Sequence, residues 1–187
     1  MAIKIYIDQG HNPVNPNAGA EAFGLREQDL VYEIGVQLAE LLRANGNFEV
    51  MLSRNSPDEI LGTTNLESLQ IRVNEANSWP ANFFISLHTN ASTNPSASGT
   101  EALAYSRASQ GYVMGDHITR WVSRLTGLQN RGVSLRPGLY VLRYTNMPAV
   151  IAELGFITNQ HDAMLLSQQP DLFAQALYRA ILEYYGL

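Results

Sequence analysis

Short apolar, β-branched runs alternate along the chain with stretches whose apolar residues recur every 3.6 positions, and this alternation restricts the fold more than any other feature. Ile3 to Ile7 alternates with period two, while NFFISLH (82–88) and PAVIAEL (148–154) are continuous apolar runs of the kind found in buried strands. FEVMLS (48–53) reads as a further strand. Between them, Leu30, Val31, Ile34, Leu38, Leu41 and Leu42 mark a helix that Asn45-Gly46 stops. Leu66, Leu69, Val73 and Ala76 mark a second, ended before Pro80. A third runs from about Gln110 to Leu125, and a fourth carries Leu172, Phe173, Ala176, Leu177, Ala180, Ile181 and Tyr184 after Gln169-Pro170-Asp171. Strands alternating with helices predict an α/β fold, a twisted and mostly parallel sheet flanked by helices on both faces. With 187 residues, 45% of them hydrophobic, the expectation is one domain over residues 1–187.

Charge and composition exclude some functions. A net charge of -5 disfavours nucleic acid, which needs a basic surface. The charge is uneven: residues 1–106 hold 12 acidic and 5 basic side chains, whereas residues 107–143 hold six arginines against Asp116 alone. Such a region suits either substrate carboxylates or an ordinary solvated face. The chain has no cysteine, so a metal would need His, Asp or Glu. No segment approaches the roughly 18 apolar residues of a membrane span, and no export signal precedes the first strand. The expectation is a soluble chain without a membrane partner, either trimmed of a leader or exported without one.

In α/β sheets, sites gather outside the carboxyl ends of the strands. Three predicted strands end there on chemistry-bearing residues: Asp8 and His11 after the first, His88 on the second, Glu153 on the third. Glu27 opens the first helix. Two imidazoles and a carboxylate suit zinc and leave a position for water, while a second carboxylate can shuttle protons. A lone strand-end histidine is commonly an ordinary hydrogen-bonded loop residue, and an acidic first-turn residue compensates the helix dipole. Spacing alone neither identifies this site nor chooses Glu27 over Asp8, Glu21 or Asp29.

The order of short motifs adds what spacing lacks. IDQGH, GLREQDL, LQIRVNEAN, FFISLHTNAS, SGTEALAY, NRGV and LYVLRYTNMPAVIAELGFITN follow one another along the whole chain. In that order they resemble the zinc-dependent N-acetylmuramoyl-L-alanine amidases of amidase type 3. The resemblance implies His11, Glu27 and His88 as ligands of Zn2+ and Glu153 as the catalytic carboxylate. It further implies hydrolysis of the amide between the lactyl group of N-acetylmuramic acid and the L-alanine of the peptidoglycan stem. Glu153 sits among apolar residues in VIAELGF, an environment that raises a carboxyl pKa. Departures from the family lie at Gln9 and in NPVNPNAGAEAF, where substrate detail is expected to differ.

Lesser roles are open on these grounds. Asp8 or a backbone oxygen is a candidate to orient a histidine ring. Asn90, two residues past His88, suits a substrate contact or a turn, and Arg131 suits a stem-peptide carboxylate or a structural ion pair. His117 and His161 are read as structural or surface residues. The expected partner is peptidoglycan, bound by a monomer acting outside the cell or in the wall, or released from a cytoplasmic pool on lysis. The alternatives are a zinc carboxypeptidase-like hydrolase of cell-wall peptides and a non-catalytic wall-binding module.

Overall fold

The runs read as strands do lie side by side in a sheet. A computed structural model describes residues 2–187. The strands β1 (Ile3–Gln9), β4 (Phe48–Leu52), β5 (Phe83–Asn90) and β8 (Ala149–Phe156) pair in parallel, in the order β4-β1-β5-β8. The sheet continues through β6 (Thr100–Ala104), antiparallel to β8, to β7 (Asn130–Leu135), parallel to β6. A hairpin of β2 (Glu21–Ala22) and β3 (Leu25–Arg26) stands apart, turning through Phe23 and Gly24 at positive φ.

Helices cover both faces. One apolar cluster joins the sheet to α1 (Glu27–Asn45), α3 (Gln110–Thr126), α5 (Gln160–Gln168) and α6 (Pro170–Tyr185) through Ile34, Leu38, Ile118, Leu166, Phe173 and Leu177. A smaller one joins the other face to α2 (Asn65–Ser78) and α4 (Tyr140–Tyr144) through Val73, Ala76, Val141 and Leu142. Local chemistry sets the helix ends. Gly46 and Gly127 close α1 and α3 in the left-handed region, Thr64 and Ser109 cap α2 and α3, and Pro170 opens α6.

Three details depart from the periodicity. Leu66 is 53% exposed, so the buried stripe of α2 runs through Ser68, Arg72, Val73 and Ala76 instead. The five-residue α4 is too short for a helical period to register, and β7 is half-exposed and polar, without an apolar run.

The alternation of strand side chains then positions chemistry. On the face covered by α2 and α4, β1 presents Tyr6 then Asp8, β5 presents Phe84, Ser86 then His88, and β8 presents Ile151 then Glu153. The registers Asp8↔Ser86 and His88↔Glu153 put these residues in rows. One sheet face thus changes from apolar to polar toward the ends of its central strands.

Candidate active site

His11, Glu27 and His88 converge at that polar end, with one donor atom of each within 4.8 Å of the others. His11 Nε2 lies 3.3 Å and His88 Nδ1 3.0 Å from the same oxygen, Glu27 Oε1. The two rings meet edge to face at 4.7 Å. Backbone N–H groups hold the carboxylate from both sides: Thr89 donates to Oε1 and Ala20 to Oε2, each at 2.9 Å. Burial disfavours ionisation of Glu27, but hydrogen bonds from His11 and His88 outweigh it and hold the carboxyl well below the usual range. A carboxylate kept charged between two imidazoles is a donor set suited to a cation.

Close backbone approach shapes this set. A Cβ on Gly10 would fall 2.5 Å from His88 Cε1 and 2.6 Å from the Leu87 carbonyl, and one on Gly19 would fall 2.9 Å from both Glu27 Oε2 and His11 Cδ2. His11 itself occupies the left-handed region, at φ 67.

The segment between His11 and Glu27, loose in composition, is tightly laced. Asn12 Nδ2 donates to the Pro16 and Leu61 carbonyls, and its Oδ1 accepts from Leu61 N. Gln28 Oε1 accepts from Gly19 N, and its Nε2 donates to the Pro13 carbonyl. Glu27 N donates to the Ala20 carbonyl, so the first N–H of α1 is met by the loop and not by a side-chain cap.

Beneath the cluster lies a buried ion pair. Asp8 bonds to Arg72 and accepts from Ser86 Oγ at 2.6 Å. Arg72 also donates to the Gln9 carbonyl at 2.7 Å and the His11 carbonyl at 2.6 Å. Burial works to raise the Asp8 pKa, but the Arg72 charge and the Ser86 hydroxyl bring it below its ordinary value. Asp8 therefore reaches His11 through Arg72 and the main chain, not through a ring nitrogen. Arg72 received no role from the sequence; the signal was an arginine on the apolar stripe of an amphipathic helix.

Glu153 stands beside His88 on β8. Its Oε2 is buried and has no hydrogen-bond partner. Burial pushes its pKa up to about 7, with Glu27 and Glu101 adding to the rise and His88 opposing it. His11, His88 and Glu153 line a cavity of about 380 Å³ together with Leu69, Leu103 and Tyr140, a size and mixed polarity suited to a small ligand.

Asn90 and Arg131 are not among the residues lining this cavity. A register shift between His88 and Asn90 breaks the strand alternation, and Asn90 Oδ1 accepts from Ala91 N, as in a turn. Arg131 lies over the Phe156 ring at 5.1 Å and donates to the Ser98 carbonyl. His117 lies 3.3 Å from Glu183, and His161 is a largely exposed side chain near Asp162.

Comparison with known proteins agrees with this architecture. A family model described as N-acetylmuramoyl-L-alanine amidase matches residues 5–183. The chain is 32% identical over 185 residues to N-acetylmuramoyl-L-alanine amidase LytC of Bacillus subtilis, covering 97% of this chain and 35% of that protein. It is 33% identical over 179 residues to N-acetylmuramoyl-L-alanine amidase CwlM of Bacillus licheniformis, covering 95% of this chain and 65% of that protein. The chain thus spans only part of these relatives. The catalytic domain of CwlV, an N-acetylmuramoyl-L-alanine amidase from Bacillus (Paenibacillus) polymyxa var. colistinus, superposes with a TM-score of 0.83 at 28% identity, covering 98% of each chain.

Proposed function

Because the chain belongs to the N-acetylmuramoyl-L-alanine amidase family, we propose that it hydrolyses the amide joining the lactyl group of N-acetylmuramic acid to the L-alanine of the peptidoglycan stem. The observation that carries this reading is the unpartnered carboxyl of Glu153 in the cavity that His11 and His88 also line.

We assign His11, Glu27 and His88 as the residues that hold Zn2+, whose preference for imidazole nitrogen and carboxylate oxygen their donor atoms meet. When bound, the ion supplies Lewis-acid polarisation of the amide carbonyl and acidifies water. The protein's own groups do the rest. Glu153 takes the proton of the attacking water as its oxygen bonds to the carbonyl carbon, then gives that proton to the alanine nitrogen as the C–N bond breaks. In the metal-free protein burial raises this carboxyl to about 7, an environment that suits a group exchanging protons in both directions. Thr89 and Ala20 fix Glu27 through its two oxygens, and Arg72 fixes the main chain at His11.

We infer that the chain acts at the cell wall, where this substrate lies, and as a monomer. Among the described residues no helix is long and apolar enough to cross a membrane. Digestion of purified peptidoglycan with and without a chelator, followed by mass analysis of the new ends, tests the reading. The expected products are free lactyl groups and stems with N-terminal L-alanine, formed only without chelator. Release of a terminal amino acid would replace the amidase with a peptidase.

A further inference from the structure

Six arginines fall between residues 107 and 143, and five of them are occupied. Arg107 lies over Tyr112, Arg124 over Trp121, Arg131 over Phe156 and Arg143 over Tyr144, all within 5.6 Å of the ring centroid. Arg120 pairs with Asp116 at 3.0 Å and Glu183 at 3.3 Å. Among the described residues Arg136 alone of the six has neither an aromatic face nor a carboxylate. Its guanidinium donates through Nη1 to the carbonyl of its own neighbour, Leu135, at 3.0 Å. It is also the only one of the six that lines the cavity holding Glu153.

The main chain fixes where Arg136 stands. Its N–H donates to the Ala104 carbonyl at 2.9 Å, and its carbonyl accepts from Leu139 N at 3.2 Å. Glu101 faces Glu153 across β6 and β8, and Leu135 pairs with Ala104, three residues further along β6. Three strand residues are about 10 Å. Part of that is spanned by the arginine side chain, and two extended peptide residues cover about 7 Å. Between the two ends the cavity wall is apolar, with Leu103, Leu139, Tyr140 and Ile151. The remaining charged pair lining it, Asp8 with Arg72, compensates itself.

We propose that Arg136 binds the α-carboxylate of the second stem residue, the D-isoglutamate that follows the L-alanine whose nitrogen is released. This rests on the amidase reading. A guanidinium presents a planar fork that two carboxylate oxygens match and a carboxamide, with one oxygen replaced by NH2, does not. The residue therefore selects stems whose α-carboxyl is free over stems in which it is amidated.

Steady-state kinetics on two muropeptides, identical except for D-isoglutamate or D-isoglutamine at this position, test the proposal. The wild-type protein is expected to prefer the free acid by about tenfold, the scale of a partly exposed charged contact. Arg136→Gln is expected to raise KM on the acid to about that on the amide and so abolish the preference, and Arg136→Lys restores part of it. A preference unchanged in Arg136→Gln, or an equal loss on both substrates, overturns the proposal. If the wild-type protein releases L-alanine-terminated stems from neither muropeptide, the amidase reading fails, and the assignment of Arg136 falls with it.

Discussion

Arg72, on α2, donates through Nη2 to the carbonyl oxygen of His11, 2.6 Å away, while its Nη1 holds the Asp8 carboxylate. One buried side chain thus fixes the end of β1 and the backbone of a candidate ligand in the left-handed region. Arg72→Met leaves Asp8 charged and uncompensated, and is expected to cost about 3–5 kcal/mol, read from urea unfolding. Adding Asp8→Asn should recover part of that loss. A single substitution that costs no more than a surface change would remove the pair from its anchoring role.

Acid should weaken the fold through the same pair. The folded-state pKa of Asp8 lies below its ordinary value, so the folded protein binds fewer protons at this site than the unfolded chain. Its contribution to stability is complete above about pH 4 and is lost as pH falls through the folded value. Thermal melts from pH 6 to pH 2 should show a shallower acid decline for Asp8→Asn than for the wild-type protein.

Glu153 carries the opposite sign. Its folded-state pKa is raised to about 7, so ionisation costs stability as pH rises from the ordinary carboxylate range through that value. Metal-free Glu153→Gln is therefore expected to melt above the metal-free wild type at pH 8, with the difference vanishing below about pH 4. The same variant should retain zinc by elemental analysis while losing turnover by about 10²- to 10⁴-fold. Turnover equal to wild type would exclude Glu153 as proton carrier.

Gly10 permits an approach that no side chain allows. A Cβ there would meet the Leu87 carbonyl, a backbone atom, at 2.6 Å as well as the His88 ring. Gly10→Ala is expected to destabilise by about 1–3 kcal/mol and to weaken zinc binding, because His88 must turn or β5 must shift. Calorimetric zinc titration together with a melting curve would measure both.

Strand-end position made His11, His88 and Glu153 candidates, although a lone strand-end histidine is more commonly an ordinary loop residue, and the structure brings His11 and His88 together with Glu27. Glu27 was one of four carboxylates on that argument, and only the order of motifs along the chain singled it out. Arg72 lies on the same helical face as Val73 and Ala76, but an arginine there does not by itself reveal the buried carboxylate it meets. Asn90 followed strand alternation across a register shift that periodicity does not reveal. The reversal of β6 had a similar effect: its amino end, with Glu101, faces Glu153, and Arg136 reaches the cavity from the far end of β7. The rule of carboxyl ends holds for the parallel strands β1, β5 and β8 and not for the reversed β6.

The three candidate metal donors and the two residues that brace them, Asp8 and Arg72, all precede residue 90, whereas Glu153 and the covering helix α6 come in the last third of the chain. A ribosome therefore delivers the candidate metal donors first and the carboxyl assigned to proton transfer late. β8 must then insert between β5 and β6, both already synthesised, before the sheet is complete. Any nascent or truncated chain that stops short of β8 lacks the carboxyl assigned to proton transfer, so the proposed site is complete only when β8 joins the sheet.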